Sequence, residues 1–172
     1  MQASRILGAL LLAVACTGRV WAANTPAASA STATPVPEEA SAVTQHALTI
    51  NGQRIAYTAT AGTLLVRNGD HQPIGSFFYV AYTENGVKNL DRRPVTFIFN
   101  GGPGSSSIWL HMGSFGPVRV VTSDAKPTPP PPYDLAQNQY SLLDRSDLVF
   151  IDAIGTGFSR IVGHGTPKDF YG

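Results

Sequence analysis

The stretch VTFIFNGGPGSSS, residues 95–107, is the part of this sequence that decides its fold class. Residues 95–99 form an unbroken apolar run, which is typical of a parallel strand covered on both faces. Glycines and serines follow, and a helix is predicted from there towards Met112, with Ser105 or Ser106 as its N-cap. A strand, a glycine turn and a helix in this order indicate an α/β sheet, whose ligand sites lie beyond the carboxyl ends of parallel strands.

The glycines of this motif are candidates for binding a developing negative charge. They let a substrate approach the backbone, and their N–H groups can donate hydrogen bonds to an oxyanion. Pro103 has no N–H and shapes the turn, which leaves Gly101, Gly102 and Gly104 as candidate donors. The nucleophile motif Gly-x-Ser-x-Gly is absent from the sequence. The motif therefore predicts an oxyanion hole without its nucleophile.

The rest of the sequence predicts antiparallel strands before this motif and a second parallel strand after it. Asn51-Gly52 between alternating apolar residues predicts a β-hairpin with a two-residue turn. Further strands are expected over residues 76–83, 118–122 and 148–151, the last of them buried on both faces. Hairpins followed by a parallel strand, a glycine loop, a helix and another parallel strand are the opening order of an α/β-hydrolase domain.

The first 42 residues predict an export signal and a linker. Residues 1–22 combine Arg5, an apolar run over 6–15 and the sequence VWA, as a secretory signal peptide does. Residues 23–42 are rich in Ala, Ser, Thr and Pro and predict a disordered linker, which leaves residues 43–172 as the folding domain. We therefore expect an exported protein, either periplasmic or extracellular. A second interpretation stays open, because Cys16 ends a segment that resembles a lipoprotein cleavage site and could anchor the chain to a membrane.

Composition limits the remaining partners. The mature chain is close to neutral and has no basic patch, so nucleic acid is not expected to bind. The four histidines are widely spaced and show no ligand pattern, so we expect no metal and no cofactor.

Residues 100–107, NGGPGSSS, closely resemble the Asn-Gly-Gly-Pro-Gly-Cys-Ser-Ser box of the serine carboxypeptidases, α/β-hydrolases that remove C-terminal residues from peptides. Gly-Pro at 116–117 and the set Asn138, Tyr140 and Ser141 also resemble features of that family. Residues 150–159, FIDAIGTGFS, resemble its second box, usually written with Gln-Pro-Val before Gly-x-Gly-Phe-Ser. The resemblance covers about residues 93–160, and two motifs in the same order and spacing make it specific.

The resemblance implies a serine-type carboxypeptidase that acts on peptides with a free C-terminal carboxylate. Asn100 and the Gly101 N–H would bind that carboxylate, and the Gly102 N–H would form half of the oxyanion hole. In α/β-hydrolases the catalytic Ser, Asp and His follow this loop in that order, so all three would lie beyond Gly172. The sequence is therefore interpreted as the incomplete N-terminal part of such a domain, inactive on its own.

Three residues refine the resemblance. Asp152 is interpreted as a carboxylate that caps backbone N–H groups in the turn over residues 155–158 and shapes the wall beside the site. Ser105 stands where many relatives have a disulfide cysteine, consistent with a cysteine-free bacterial exported branch. Ser114 stands where better-known members have a glutamate, which predicts a weaker preference for acidic pH.

Two other functions stay open from the sequence. A proline iminopeptidase-like aminopeptidase or an esterase of the same superfamily would use a similar glycine-proline loop, usually with His in place of Asn100. A non-catalytic exported binding protein, or a remnant, would keep the fold without the triad.

Overall fold

A computed structural model gives the structure of the chain and describes residues 33–101, 104–122, 126–127 and 130–172. The predicted signal peptide, Cys16, the first part of the predicted linker and Gly102 lie outside the described residues. Among the helices that are described, none is both long enough and apolar enough to cross a membrane.

Strands dominate the described residues. In chain order they are β1 (Ser41–Ile50), β2 (Gln53–Arg67), β3 (Pro73–Glu84), β4 (Val95–Ile98), β5 (Val118–Val120), β6 (Leu135–Gln137), β7 (Asp147–Ile151) and β8 (Arg160–Ile161). The helical segments are α1 (Ile108–Leu110), a π-helical segment His111–Phe115 directly after it, α2 (Lys168–Tyr171), and 3₁₀ turns at Leu90–Arg92 and Leu142–Asp144.

The main sheet is mixed. Its strands lie in the order β1-β2-β3-β7-β4, and β8 pairs with β3. The neighbours from β1 to β7 are antiparallel, whereas β4 and β7 are parallel. A separate antiparallel ribbon consists of β5 and β6. A mixed sheet of this kind, with parallel strands joined by a long connection, is consistent with part of an α/β-hydrolase fold and confirms the predicted α/β class.

The first hairpin forms as predicted. Asn51 and Gly52 occupy the turn between β1 and β2, with φ angles of 50° and 79°. Positive φ at both turn positions is typical of the type I′ turn, which matches the twist of the flanking strands. Ile55 and Tyr57 on β2 then point into the core beside Leu48 and Ile50 of β1.

The folded part begins earlier than the predicted boundary at Val43. Strand β1 already starts at Ser41, and Thr34 forms a β-bridge with Gly163. The Glu39 carboxylate accepts a hydrogen bond from the Leu65 N–H at 2.6 Å. Residues 33–42 are therefore an extended segment held by specific hydrogen bonds, and the prediction of a disordered linker does not apply to them.

The prediction that β4 is buried on both faces is wrong. Val95 and Phe97 are 50% and 61% exposed, whereas Ile98 is 8% exposed. Among the described strands β4 is the last in the sheet and pairs only with β7. On the face that carries Phe97, the sheet forms an open apolar cavity of about 450 Å³ with Leu64, Phe77 and Val149 among its lining residues.

Strand β7 likewise buries only one face. Leu148 and Phe150 are almost fully buried, and the residues that alternate with them, Asp147, Val149 and Ile151, are half-buried. The core on this face combines the first hairpin with the two parallel strands and one residue of a 3₁₀ turn. Its members are Leu48, Ile50, Ile55, Tyr57, Ile98, Leu143, Leu148 and Phe150.

Arg93 fixes the start of β4. Its guanidinium forms ion pairs with Glu84 at the end of β3 and with Asp147 at the start of β7, both at 2.7 Å. It also donates to the Leu143 carbonyl at 2.6 Å. The Arg93 side chain is 9% exposed. Its contacts hold together the end of β3 and the starts of β4 and β7, at the end of the sheet opposite the glycine motif.

Candidate functional site

The two sequence motifs lie side by side at one end of the main sheet. Strands β4 and β7 are parallel neighbours, with Ile98 paired to Phe150, so their carboxyl ends lie side by side. We call residues 99–107, which follow β4, the glycine loop, and residues 152–159, which follow β7, the second turn. The prediction that each motif follows a parallel strand is confirmed, and the structure adds that these two strands are neighbours.

The described part of the glycine loop presents open backbone. Gly101 is exposed, and a Cβ atom built on it would meet no atom within 4 Å. Gly104 has a φ of 88°, a conformation that favours glycine, and it too has open space where a side chain would be. Asn100 is half-buried, and its Nδ2 donates to the Gly101 carbonyl at 2.9 Å. A small ligand group can therefore reach the backbone of this loop.

Asp152 joins the second turn to the glycine loop. Its Oδ1 accepts hydrogen bonds from the Ser107 N–H at 2.9 Å and from the Ser107 hydroxyl at 3.0 Å. Its Oδ2 accepts one from the Phe158 N–H at 3.2 Å. The structure confirms that this carboxylate caps a backbone N–H of the second turn, and it adds a second partner across the site.

Ser107, not Ser105 or Ser106, begins the helix. Ser107 is the N-cap of α1, but its hydroxyl bonds to Asp152 rather than to the helix's own backbone. No local sequence pattern signals this partner, because Asp152 is distant along the chain and reaches Ser107 only through the pairing of β4 and β7.

Glycines in the second turn leave room for this arrangement. Gly157 has a φ of 48°, and a Cβ atom on it would overlap the Asp152 carboxylate. Gly155 has a φ of 82°, and a Cβ atom there would overlap the Tyr171 hydroxyl. Ser159 is fully buried; its hydroxyl donates to the Asp152 carbonyl at 2.7 Å and accepts from the Phe78 N–H at 2.8 Å. The second turn is thus a closely packed wall beside the glycine loop.

Comparison with known proteins identifies the family. Residues 52–164, well over half of the chain, match the family model described as serine carboxypeptidase. The chain belongs to the serine carboxypeptidase family. It is similar to Serine carboxypeptidase-like 36 of Arabidopsis thaliana, with 36% identity over 90 residues, which is 52% of this chain and 17% of that protein.

A fungal carboxypeptidase is similar to nearly the same share of the chain. The pheromone-processing carboxypeptidase of Saccharomyces cerevisiae is 38% identical over 84 residues, which is 48% of this chain and 10% of that protein. The chain therefore spans less than a fifth of the length of either curated relative where it matches them.

In this member of the serine carboxypeptidase family, the Asn-x-Tyr-Ser motif supports the Gly-Pro motif. Asn138 is 1% exposed, and its Nδ2 donates to the carbonyls of Ser114 and Gly116. The Ser141 hydroxyl donates to the Phe115 carbonyl at 2.8 Å. These bonds fix the end of the helical segment that follows the glycine loop. Ser114 itself is exposed.

His111 is a half-buried titratable group near the site that the sequence analysis did not single out. Its ring stacks on Phe150 with a centroid distance of 4.4 Å, and its Nε2 lies 2.6 Å from the Tyr82 hydroxyl. Burial lowers the pKa of His111 to about 4, although the charge of Asp152 acts in the opposite direction. Burial, with a smaller effect of Tyr57, raises the pKa of Tyr82 to about 12. At neutral pH the pair is therefore a neutral imidazole hydrogen-bonded to a protonated phenol.

The Ser, Asp and His residues near the glycine loop do not form a catalytic triad. The Ser107 hydroxyl donates to Asp152, and the His111 Nε2 faces Tyr82. A triad needs the serine bonded to the imidazole and the imidazole oriented by the carboxylate. No cluster of potential metal-ligating side chains occurs among the residues that the structure describes. Gly102 lies outside those residues, so its role in an oxyanion hole stays a prediction.

Proposed function

We propose that this chain supplies the substrate-binding side of a serine carboxypeptidase, which hydrolyses the C-terminal bond of peptides by Ser-His-Asp acyl transfer. Family membership supports a peptidase in general. The observation that carries the proposal is the open backbone at Asn100 and Gly101, at the carboxyl ends of two adjacent parallel strands.

The terminal carboxylate of the substrate would bind at Asn100 and Gly101. An amide nitrogen carries two hydrogens, and the contact of Asn100 with the Gly101 carbonyl uses one of them. The second hydrogen and the Gly101 N–H are neutral donors, which suit an anion without adding a fixed charge. The Gly102 N–H would then stabilise the tetrahedral oxygen, an interaction worth a few kcal/mol in the transition state.

Three further properties belong to the same proposal. The protein would be exported to the periplasm or the extracellular space, with a membrane anchor only if Cys16 is acylated. Ser114 in place of a glutamate would weaken the acid preference of the complete enzyme. It would need no cofactor.

A second function is favoured by one observation. Because Ser107 is bonded to Asp152 and His111 to Tyr82, the described residues would bind a peptide without providing a nucleophile and base. A non-catalytic peptide-binding protein of the same family would show the same geometry.

Titration of the ¹⁵N-labelled 172-residue chain tests the proposal. The two ligands are an N-acylated dipeptide with a free C-terminus and the same dipeptide as its C-terminal amide. We expect the acid to shift the Gly101 amide and the Asn100 side-chain amide, and the amide ligand to shift neither. Asn100→Ala should weaken binding of the acid by about tenfold, since one hydrogen bond to a charged group is lost.

The control is Asn85→Ala, directly after β3 at the end of the sheet opposite the glycine loop. It should bind the dipeptide acid like the wild type. Equal binding of acid and amide, or an unchanged affinity in Asn100→Ala, would disprove the carboxylate site. A requirement for a free N-terminus would favour the aminopeptidase alternative. If mass spectrometry showed that this chain releases the C-terminal residue of the dipeptide, the chain would be catalytic, and the proposal that it only binds substrate would be wrong.

A further inference from the structure

Both ends of the glycine loop are attached to the same strand. At its first end, Ile98 of β4 pairs with Phe150 of β7. At its last end, Ser107 is held by Asp152, which directly follows β7. The loop therefore begins beside Phe150 of β7 and ends at Asp152, two residues further along the chain.

The attachment at Asp152 is fully enclosed. Asp152 and Ser107 are each 5% exposed, so water competes little for their hydrogen bonds. The carboxylate accepts three hydrogen bonds, all from neutral donors and divided between the glycine loop and the second turn. Charge-assisted bonds of this kind are stronger than neutral ones, and leaving a buried donor unpaired costs about 1–3 kcal/mol.

We propose that Asp152 is a positioning residue, which acts through Ser107 to hold the glycine loop in the geometry that binds the substrate carboxylate. This inference rests on the proposed function and deepens it. Asp152 itself is enclosed and bonded to protein donors, so it touches neither the substrate nor the reacting atoms. Without the bond to Ser107, the last end of the loop would be attached only through the short helical segment after it.

Two variants weaken this contact without altering Asp152. Ser107→Ala removes the hydroxyl bond and leaves the N–H bond in place. Gly157→Ala introduces a Cβ atom that overlaps the Asp152 carboxylate from the side of the second turn. The two changes act from opposite sides of the same carboxylate, so a shared effect identifies it as the cause.

Each variant has a matched control. Ser146→Ala removes an equally buried hydroxyl, 5% exposed like that of Ser107, which bonds the Pro94 and Asp147 carbonyls at the other end of β7. Gly86→Ala introduces a side chain at a similar positive φ, 77°, but with no atom within 4 Å. The controls reproduce the loss of stability from a buried hydroxyl or a left-handed residue and leave the loop contact intact.

The experiment measures ¹⁵N relaxation of Gly101 and Gly104, together with the affinity for the N-acylated dipeptide acid. In the wild type and both controls we expect backbone order parameters near 0.85 at these glycines. In Ser107→Ala and Gly157→Ala they should fall below about 0.6, and the affinity for the acid should fall by about tenfold. The backbone order parameters of β7 should not change.

Order parameters and affinities in the two variants that match those of their controls would overturn the inference. If the wild type does not distinguish the acid from its amide, the proposed function fails, and the order parameters alone then decide whether Asp152 positions the loop. Loss of affinity with unchanged order at Gly101 and Gly104 would also overturn it, because the effect would not pass through the loop.

Discussion

At the scale of single residues, His111 shows how burial sets the charge of a group near the site. The imidazole lies between Phe150 and the Tyr82 hydroxyl, and this environment favours its neutral form. In the unfolded chain the same side chain takes up a proton near its ordinary pKa of 6.5. Between these two pKa values the unfolded state binds more protons, so the free energy of unfolding falls as the pH falls.

We therefore expect the chain to lose up to about 3 kcal/mol of stability from this residue between pH 6.5 and pH 4. His111→Gln keeps a group that can hydrogen-bond to Tyr82 but cannot titrate, so much of the pH dependence in this window should disappear. Urea unfolding at several pH values between 7 and 4 measures the effect. His164→Gln, at an exposed position, is the control and should follow the wild type. Parallel pH profiles for all three proteins would show that His111 titrates normally.

At the scale of elements, β4 is a strand with one buried face and one open face. Its apolar run over 95–99 predicted cover on both sides, because sequence alone does not distinguish a buried face from an apolar face that is open. In the structure, Ile98 packs into the core, whereas Phe97 faces the open apolar cavity. The alternation of burial along β4 is therefore set by its tertiary neighbours.

Threonine substitutions test this alternation. Phe97→Thr should change the free energy of unfolding by no more than about 0.5 kcal/mol, because the side chain is largely exposed and threonine favours strands. Ile98→Thr should cost about 2–4 kcal/mol, since it leaves a cavity and buries a hydroxyl in the core. Urea unfolding of both variants at neutral pH gives the comparison. Similar losses at the two positions would mean that the Phe97 face is covered in solution.

At the scale of the whole molecule, the features that the sequence predicted are those with local causes. The Asn51-Gly52 turn follows from the backbone freedom of two adjacent residues, and the glycine loop follows from a strand that must end in a turn. The bond between Ser107 and Asp152 and the antiparallel pairing of β3 with β7 join distant parts of the chain. Residue patterns carry little information on such contacts, so neither they nor the environment of His111 could be predicted.

The same division between local and distant contacts predicts the order of folding. Strands β1 to β3 are joined by short connections, whereas β4 pairs residues 95–98 with residues 147–150. Because closing a long loop costs entropy before its contacts form, we expect the hairpins to be structured in the folding transition state and β4 to pair later. Ile55→Val on β2 should therefore slow refolding, and Ile98→Val on β4 should mainly accelerate unfolding.

Stopped-flow kinetics in urea measure both rates. Each substitution removes one buried methyl group, with an expected loss of about 0.5–1.5 kcal/mol, so the two variants are matched in size. The opposite pattern, with the refolding rate lowered by Ile98→Val alone, would place the pairing of β4 and β7 in the nucleus.

The attachment of the glycine loop to a single strand has a consequence for protein engineering. Because residues 98 and 107 are both fixed to β7 or the residue after it, the intervening segment can be exchanged as a cassette while the core stays the same. Insertions in such a segment are tolerated, since each doubling of loop length adds only about 0.6 kcal/mol of closure entropy. Libraries built over residues 99–106, with Ser107, Asp152 and Gly157 kept, would alter what the loop recognises and retain the frame that presents it.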